Sequence, residues 1–445
     1  MFKFQLLGKV HVPHRKNTTN MAPVRMTPPK HVCIPMDQHI GAPATPIVKV
    51  DDTVQVGQRI AEASGYVSAA IFAPVSGKVT KIETRVRTGG ATVSAVIIES
   101  DGEMTPYEGL TPPAITDLEG FTNALRECGM VGLGGAGFPT AVKLDAVKTG
   151  AIDTIILNAA ECEPYITSDA RTMLDSADLV AEGIALMQRV MPTVKSYIIG
   201  VEANKPACIR KMKETFADNA SVSVHTLPTL YPQGAEKVLI HNTTGRIVPV
   251  GKLPADVGVI VINVTTLATF ANYVRTGMPL VEKCVTVDGS AICNPQNVIV
   301  PIGTPIGELI EFTGGFLTEP GKIFYGGPMT GFTVPSSDEP ILKTTNAIVA
   351  LSRKDSTPPN PTACIHCGRC VDVCPHHLYS TEFCKALEIE NTDDKMARLE
   401  ACNINLCMEC GCCAFVCPAK RPLIESIRIG KRELKEYNAH KASLK

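Results

Sequence analysis

Eight cysteines toward the C-terminal end repeat one spacing twice, and that repeat limits what this polypeptide can be. Cys364, Cys367, Cys370 and Cys374 read C-x-x-C-x-x-C-x-x-x-C with Pro375 behind them, and Cys407, Cys410, Cys413 and Cys417 repeat the run with Pro418. In such a run three closely spaced thiolates hold one [4Fe–4S] cluster and the fourth reaches across to the other. The expected sets are Cys364, Cys367, Cys370 with Cys417, and Cys407, Cys410, Cys413 with Cys374. Zinc is the rival reading. It favours two C-x-x-C pairs and four ligands per ion, which leaves the third cysteine and the proline of each run unexplained. Cys412 lies out of phase inside the second run and is expected to pack rather than ligate. Cys384 and Cys402, between the runs, are expected to be ordinary thiols. A chain with two such clusters moves single electrons.

The remaining sequence has room for more chemistry. At 445 residues it can hold two to four domains with separate cores. An apolar content of 44% with 20% charged residues describes an ordinary globular protein, and a net charge of −1 gives no sign of a nucleic-acid partner. Seventeen cysteines would suit a disulfide-rich secreted chain. The first residues, however, lack the apolar core of a signal peptide, and cluster ligation needs reduced thiols, so a cytoplasmic location is expected. The longest apolar stretch, 257–274, is interrupted by Gly258, Asn263, Thr265, Thr266, Thr269 and Asn272. It falls short of the roughly 18 apolar residues of a membrane span, so membrane association is expected only through partner proteins.

Patterning divides the chain. Residues 1–30 are basic and rich in Pro and His and are expected to form an extended arm. Residues 31–114 alternate in short β runs between Gly, Pro and Asp turns, a small barrel or sandwich. Residues 115–274 alternate helical and strand patterns, an α/β layer fold. Residues 275–330 return to β character and fit a β-grasp module. Residues 331–360, with Pro335, Pro340, Pro358 and Pro359 and with Pro361 just beyond, are expected to be a linker. The cysteine repeat and a basic helical tail fill 361–445. For that tail a solvated helix competes with a docking surface for an acidic partner.

Two segments of the α/β region carry binding chemistry. Gly132-Leu133-Gly134-Gly135-Ala136-Gly137 matches G-x-G-x-x-G, but a helical pattern precedes it where a dinucleotide fingerprint requires a strand. The physical use survives: glycines let backbone N–H groups approach a phosphate or a flat ring. A purely structural tight turn is the alternative. Beyond the apolar run 154–157 comes Asn158-Ala159-Ala160-Glu161-Cys162-Glu163-Pro164-Tyr165, at a strand's carboxyl end, where open α/β sheets bind ligands. Standing alone, that segment is a solvated turn; beside the glycine loop, it is a candidate site.

These residues carry resemblances. Residues 31–114 resemble the lipoyl/biotinyl barrel-sandwich family, although Ser64-Gly65-Tyr66-Val67-Ser68 at the hairpin has no lysine to modify, which implies a non-carrier version. Gly134-Gly135-Ala136-Gly137-Phe138-Pro139-Thr140 with Lys143, and then Asn158 onward, resembles the flavin- and NADH-binding subunit of respiratory complex I. The domain order, with His39-Ile40-Gly41-Ala42-Pro43, Tyr231-Pro232-Gln233-Gly234-Ala235-Glu236-Lys237 and Gly326-Gly327-Pro328-Met329, is similar to the C subunit of the Rnf electron-transport complex. The resemblance implies a barrel-sandwich hybrid, a Rossmann-like α/β flavin/NADH domain, an SLBB-like β-grasp module and a two-[4Fe–4S] ferredoxin-like helical domain.

It also implies FMN on the loop of Gly132, Gly134, Gly135 and Gly137 near Lys143, with Asn158, Asn263 and Thr266 on its ribityl and phosphate parts. Glu163 and Glu236 are implied on the nicotinamide side, with Glu161 and Tyr231 in the same site. The sequence departs from the complex I pattern at Leu133, where that family has Arg, at Ala160, where it has Asp, and at Ala235, beside the remaining Glu236. The function implied is electron transfer between NADH and a ferredoxin-like iron–sulfur subunit through FMN and two clusters. In an ion-translocating complex, this chain would dock on membrane subunits at the cytoplasmic face. The alternatives are a soluble NADH-dependent donor to a proline- or corrinoid-type reductase, and an adaptor that only relays electrons.

Overall fold

The computed structural model describes residues 8–86, 90 and 92–443. Its first body is all β. A four-stranded sheet contains His31–Pro35, Thr53–Val54, Gly77–Val86 and Thr92–Ser100, and it faces a three-stranded sheet of Thr45–Pro46, Arg59–Glu62 and Ile71–Phe72. Alternation brings Val32, Ile34, Val54, Ile60, Val79 and Ile98 inward, all fully buried. Each such side chain contributes roughly 1.5–3 kcal/mol by leaving water.

The α/β body is built on four parallel strands in the spatial order Val222–Leu227, Ser196–Glu202, Thr154–Ala159, Val259–Asn263. Strands covered on both faces read as continuous apolar runs, as Ile155, Ile156 and Leu157 do, each fully buried. The chain starts in the strand Thr154–Ala159, winds outward one way, then returns to the other side with Val259–Asn263. The strand order therefore reverses between these two neighbours, and Asn158 is in register with Asn263 at that point. Ligands of open α/β sheets bind at this switch.

A six-stranded sheet follows, ordered Val24–Arg25, Gln296–Pro301, Glu282–Asp288, Ala347–Ser352, Pro320–Tyr325, Phe332–Thr333. This corrects the linker expected over 331–360. Ala347–Ser352 is an inner strand, paired with Glu282–Asp288 on one side and Pro320–Tyr325 on the other. Ala347, Ile348, Val349 and Ala350 are fully buried; the surrounding prolines concealed a short apolar run. The cysteine-bearing module is helical and packs under the long helix Leu423–Ser443 through Leu423, Ile427 and Leu434. Among the described residues no helix is long and apolar enough to cross a membrane.

The expected arm binds the bodies together. Val10 and Tyr231 exchange backbone hydrogen bonds of 2.8 and 2.9 Å, the Thr18 hydroxyl meets that of Thr167 at 2.5 Å, and Val24–Arg25 joins the six-stranded sheet.

Candidate flavin cleft and cysteine cages

The glycine loop closes on itself and opens toward the switch point. Gly132 N–H donates to the Phe138 carbonyl at 2.8 Å, and Gly137 N–H donates to the Gly132 carbonyl at 3.1 Å. Between them Leu133 is anchored at both ends. Its N–H donates to Thr266 Oγ1 at 2.9 Å, and its carbonyl accepts from Lys283 Nζ at 2.9 Å. The next three residues, Gly134, Gly135 and Ala136, are exposed, and their N–H groups have no acceptor among the described residues. Gly135 holds φ +114°, which only glycine adopts without strain. Such an arc of free amides suits an anion.

The loop forms one wall of a cleft of about 560 Å³. Asn158 and Asn263 stand at its strand-end wall, with Lys143, Glu236 and Thr266 around them. Lys143 Nζ sits 2.7 Å from a Glu236 oxygen and 3.1 Å from the Val261 carbonyl. Asn263 caps the helix Val264–Thr276 through the Thr266 N–H at 3.0 Å and donates to Asp169 at 2.8 Å. Asn158 donates to the Gly234 carbonyl at 2.8 Å and accepts from Ala160 N–H at 3.2 Å. Thr140 also lines the cleft, and its buried hydroxyl has no partner. Sequence reasoning named Thr140 within the motif but gave it no role in the site; its place next to the glycine loop was the available signal.

A second cleft, of about 660 Å³, shares Gly134, Asn158, Glu236 and Asn263 with the first and continues to Cys407 and Cys410. Glu161, Glu163 and Tyr231 line it. Glu161, at φ +51°, accepts from Asp169 N–H at 2.6 Å, while its other oxygen is buried without a partner. Burial pushes the Glu161 carboxyl up, against the pull of Lys16 and Lys205. Glu163 is occupied elsewhere: it accepts from the N–H groups of Met329 at 3.2 Å and Thr330 at 2.8 Å, fixing the 326–331 loop. Burial likewise raises its pKa. Two lysines hold the segment after the strand. Lys16 Nζ donates to the carbonyls of Glu161 (2.8 Å), Glu163 (2.8 Å) and Ile166 (2.5 Å). Lys205 Nζ donates to Ala160 at 2.7 Å and pairs with the fully buried Glu202 at 3.2 Å.

The cysteine runs repeat each other in three dimensions. His366 and Glu409 occupy equivalent places with φ of 55° and 56°, and each donates its N–H at 3.4 Å to the sulfur two residues earlier, Cys364 or Cys407. Gly368 and Gly411 follow at 78° and 76°. Two cages result. Cys370 lies near Cys367 and Cys417. Cys407 has Cys410 and Cys374 beside it, and Cys413 has Cys410 and Cys407. The fourth cysteine of each run thus lies with the other run, as crossed ligation requires. Among the described residues no three His, Cys, Asp or Glu side chains converge on a single ion; a cluster asks less, since each thiolate binds its own iron. Cys412 is fully buried against Val10, Val12 and Tyr231, the packing role expected of it.

An amide-lined cleft at a switch point, adjoining a second cleft that reaches one of two paired cysteine runs, defines an electron-transfer protein that carries a flavin and iron–sulfur clusters. Family models match in the same order: the RnfC barrel sandwich hybrid domain over residues 4–103, the Nuo51 FMN-binding domain over 125–272, the SLBB domain over 284–333 and a 4Fe-4S binding domain over 357–378. The chain is 44% identical to the C subunit of the Na(+)-translocating ferredoxin:NAD(+) oxidoreductase complex of Acetobacterium woodii, covering 96% of each chain. It is 43% identical to the proton-translocating counterpart of Clostridium ljungdahlii, over 83% of this chain and 82% of that one. A crystal structure of an NAD+-reducing [NiFe]-hydrogenase shares the fold, with a TM-score of 0.51 and 18% identity over 72% of this chain and 63% of that one. The chain belongs to the family of C subunits of the ion-translocating, or Rnf-type, oxidoreductase complexes.

Proposed function

We propose that the chain transfers electrons between NADH and a ferredoxin-type partner within an ion-translocating membrane complex, docked peripherally at the cytoplasmic face. One observation carries this reading: the cleft with free loop amides shares Gly134, Asn158, Glu236 and Asn263 with the cleft that reaches Cys407 and Cys410. Bound FMN would exchange a hydride with the nicotinamide and pass its electrons on singly, chemistry that belongs to the cofactor.

The chain's own residues bind and orient. The amides of Gly134, Gly135 and Ala136 take the flavin phosphate, and Lys143 adds positive charge beside them, partly offset by Glu236. Asn158, Asn263, Thr266 and Thr140 face the ribityl chain. Leu253 borders both clefts and is 68% exposed, placed where it would pack against the nicotinamide. Glu161 and Tyr231 wall the passage to the inner cage, while Glu163 fixes the neighbouring loop. Cys364, Cys367, Cys370 and Cys417 hold one cluster, and Cys407, Cys410, Cys413 and Cys374 hold the other. No side chain needs to act as an acid or a base.

The test is an anaerobic NADH titration followed by visible absorbance and low-temperature EPR. Flavin bleaching followed by signals of two reduced [4Fe–4S] clusters is the expected course. Clusters that stay oxidised in a flavin-replete protein would overturn the reading. Leu253→Asp should raise the KM for NADH about tenfold, or 1.4 kcal/mol, with unchanged flavin content; an unchanged KM would remove Leu253 from the nicotinamide site.

A further inference from the structure

We infer that electrons pass between this chain and its partner at the outer cage, that of Cys364, Cys367, Cys370 and Cys417. The partner is an acidic iron–sulfur protein seated over Ile365 and Phe415 and held by Arg369 and Lys420. The inference rests on the two-cluster reading above and adds the order of the clusters and the docking surface.

The two cages differ in exposure. Cys407 and Cys410 line the second cleft, and Cys413 is buried, so that cage faces inward toward the flavin site. Cys367 is the one exposed cysteine among the eight. Electron transfer falls steeply with distance, so a partner must sit over the cage nearest the surface. The sequence of carriers is then flavin, inner cage, outer cage, partner.

The surface around the outer cage suits a docking partner. Ile365, between two ligand cysteines, is 66% exposed, and Phe415, two residues before Cys417, is 43% exposed. Large apolar side chains exposed beside the ligand cysteines suit an interaction site. The Thr362 N–H donates to the Ala419 carbonyl at 2.9 Å, which brings Lys420 beside the first run. Arg369 and Lys420 are exposed, and among the described residues neither has a carboxylate within ion-pair distance. Lys385 lies near Cys364 and shares Glu382 with Arg398. Asp372 is on the same short helix as Arg369, and the exposed Glu425 follows Lys420 and Arg421. Cations therefore exceed acids here, although the whole chain carries −1. Such a patch steers and orients an acidic partner.

The C-terminal helix is a poorer surface, because much of its charge is spent internally. Arg428 and Lys431 both pair with Glu409, Lys395 pairs with Glu433, and Lys441 lies over Tyr437. Each encounter at the outer cage moves one electron and no proton. The partner loses one electron as this chain gains one, or the reverse, and two encounters match the two electrons of one NADH.

The experiment uses the full chain with flavin and clusters, and an acidic bacterial two-[4Fe–4S] ferredoxin as the probe. Binding is measured by calorimetry at low and high salt, and carbodiimide cross-links are mapped by mass spectrometry. Expected are salt-sensitive binding, a cross-link at Lys420 or Lys385, and affinity about tenfold weaker in Arg369→Glu/Lys420→Glu. Arg432→Glu/Lys435→Glu on the C-terminal helix should bind as the unaltered chain does. No binding, salt-indifferent binding, full affinity in the first pair or a loss confined to the second pair would each overturn the inference. EPR of both clusters confirms that the variants are intact; if charge reversal costs a cluster, Arg369→Gln/Lys420→Gln replaces it with the same expected direction. Binding here by a chain that does not oxidise NADH would sink the proposed function and leave this surface standing. NADH-reduced clusters with ferredoxin bound elsewhere would do the opposite.

Discussion

Two buried lysines beneath the site act through backbone oxygens rather than through ligands. Lys283 donates to three acceptors, the carbonyls of Leu133 and Lys343 at 2.9 Å each and Asn346 Oδ1 at 2.8 Å. Burial pushes it down to about 7, while three acceptors and the neighbouring Asp169 favour the ammonium. Lys343 is 1% exposed and ties the barrel to the α/β body through Ala70 at 2.7 Å and Gly129 at 2.9 Å. Burial lowers its pKa from 10.5 to about 7. Between those values the unfolded chain binds the proton that the folded chain has released, so this lysine's contribution to stability rises with pH across the window. The stability gap between the unaltered chain and Lys343→Met should therefore shift in favour of the unaltered chain by up to about 1.4 kcal/mol per pH unit above pH 7. Urea unfolding at pH 7 and pH 9 reads this out, and a constant gap would show that Lys343 stays charged. Neither lysine was legible in the sequence, because their partners lie far along the chain and all but Asn346 Oδ1 are backbone atoms. Cysteine spacing is local, so the ligands could be read directly. Cys162, whose sulfur accepts from Gly234 N–H at 3.4 Å, and Cys412 are outside both cages. Changing either to Ala should leave both cluster EPR signals intact, whereas Cys410→Ala should lose one.

At the scale of elements, the glycine loop acts as a preformed cradle. Its ends are closed by the Gly132–Phe138 and Gly137–Gly132 backbone bonds, Thr266 and Lys283 hold Leu133 near its start, and its middle is left free for an anion. Gly135→Val places a branched residue at φ +114°, a cost on the order of 1–3 kcal/mol. It should cut flavin content severely while both clusters remain, as read by absorbance after cofactor reconstitution. Full flavin loading would show that the loop does not contact the cofactor. The sequence identified this loop by composition, and the structure explains why the usual dinucleotide fingerprint is absent: the helix Leu118–Glu127 precedes it, so the loop crosses the switch point from outside the sheet. The strand Ala347–Ser352 escaped notice for the opposite reason, as a short apolar run, here Ala347 to Leu351, is ambiguous until its sheet neighbours are known. The same holds for Glu163, which the sequence placed near the nicotinamide and which the fold commits to the 326–331 loop.

At the scale of the molecule, the bodies meet around the second cleft, and few of these contacts were readable beforehand. The 326–331 loop is held by Glu163 on one side. On the other, Arg428 donates to the Thr330 carbonyl at 3.0 Å and lies 4.3 Å from the Phe332 ring. Lys16→Met removes three donors from one segment and leaves its carbonyls short of partners, a cost of roughly 1–3 kcal/mol for each group that stays dry. A lower melting temperature and faster loss of the inner cluster to chelator are expected, and an unchanged melting temperature would contradict the role given to the arm.

The arm also has a consequence in time. Gly8 lies against the backbone of Val373 and Cys374, so the first described residue meets nearly the last body of the chain to be synthesised. Long-range contacts of this kind form late, since loop closure must come before any reward. The tip of the arm is therefore a latch that shuts only after the cysteine-bearing module has emerged, whereas the contacts of Lys16, Thr18 and Val24 with earlier bodies can form before it. Ribosome-bound chains stopped short of Cys374 should have the tip around Gly8 open to protease, and chains that include the module should not. Cluster insertion thus has a window that opens with translation of the second cysteine run and narrows as the N-terminus comes home.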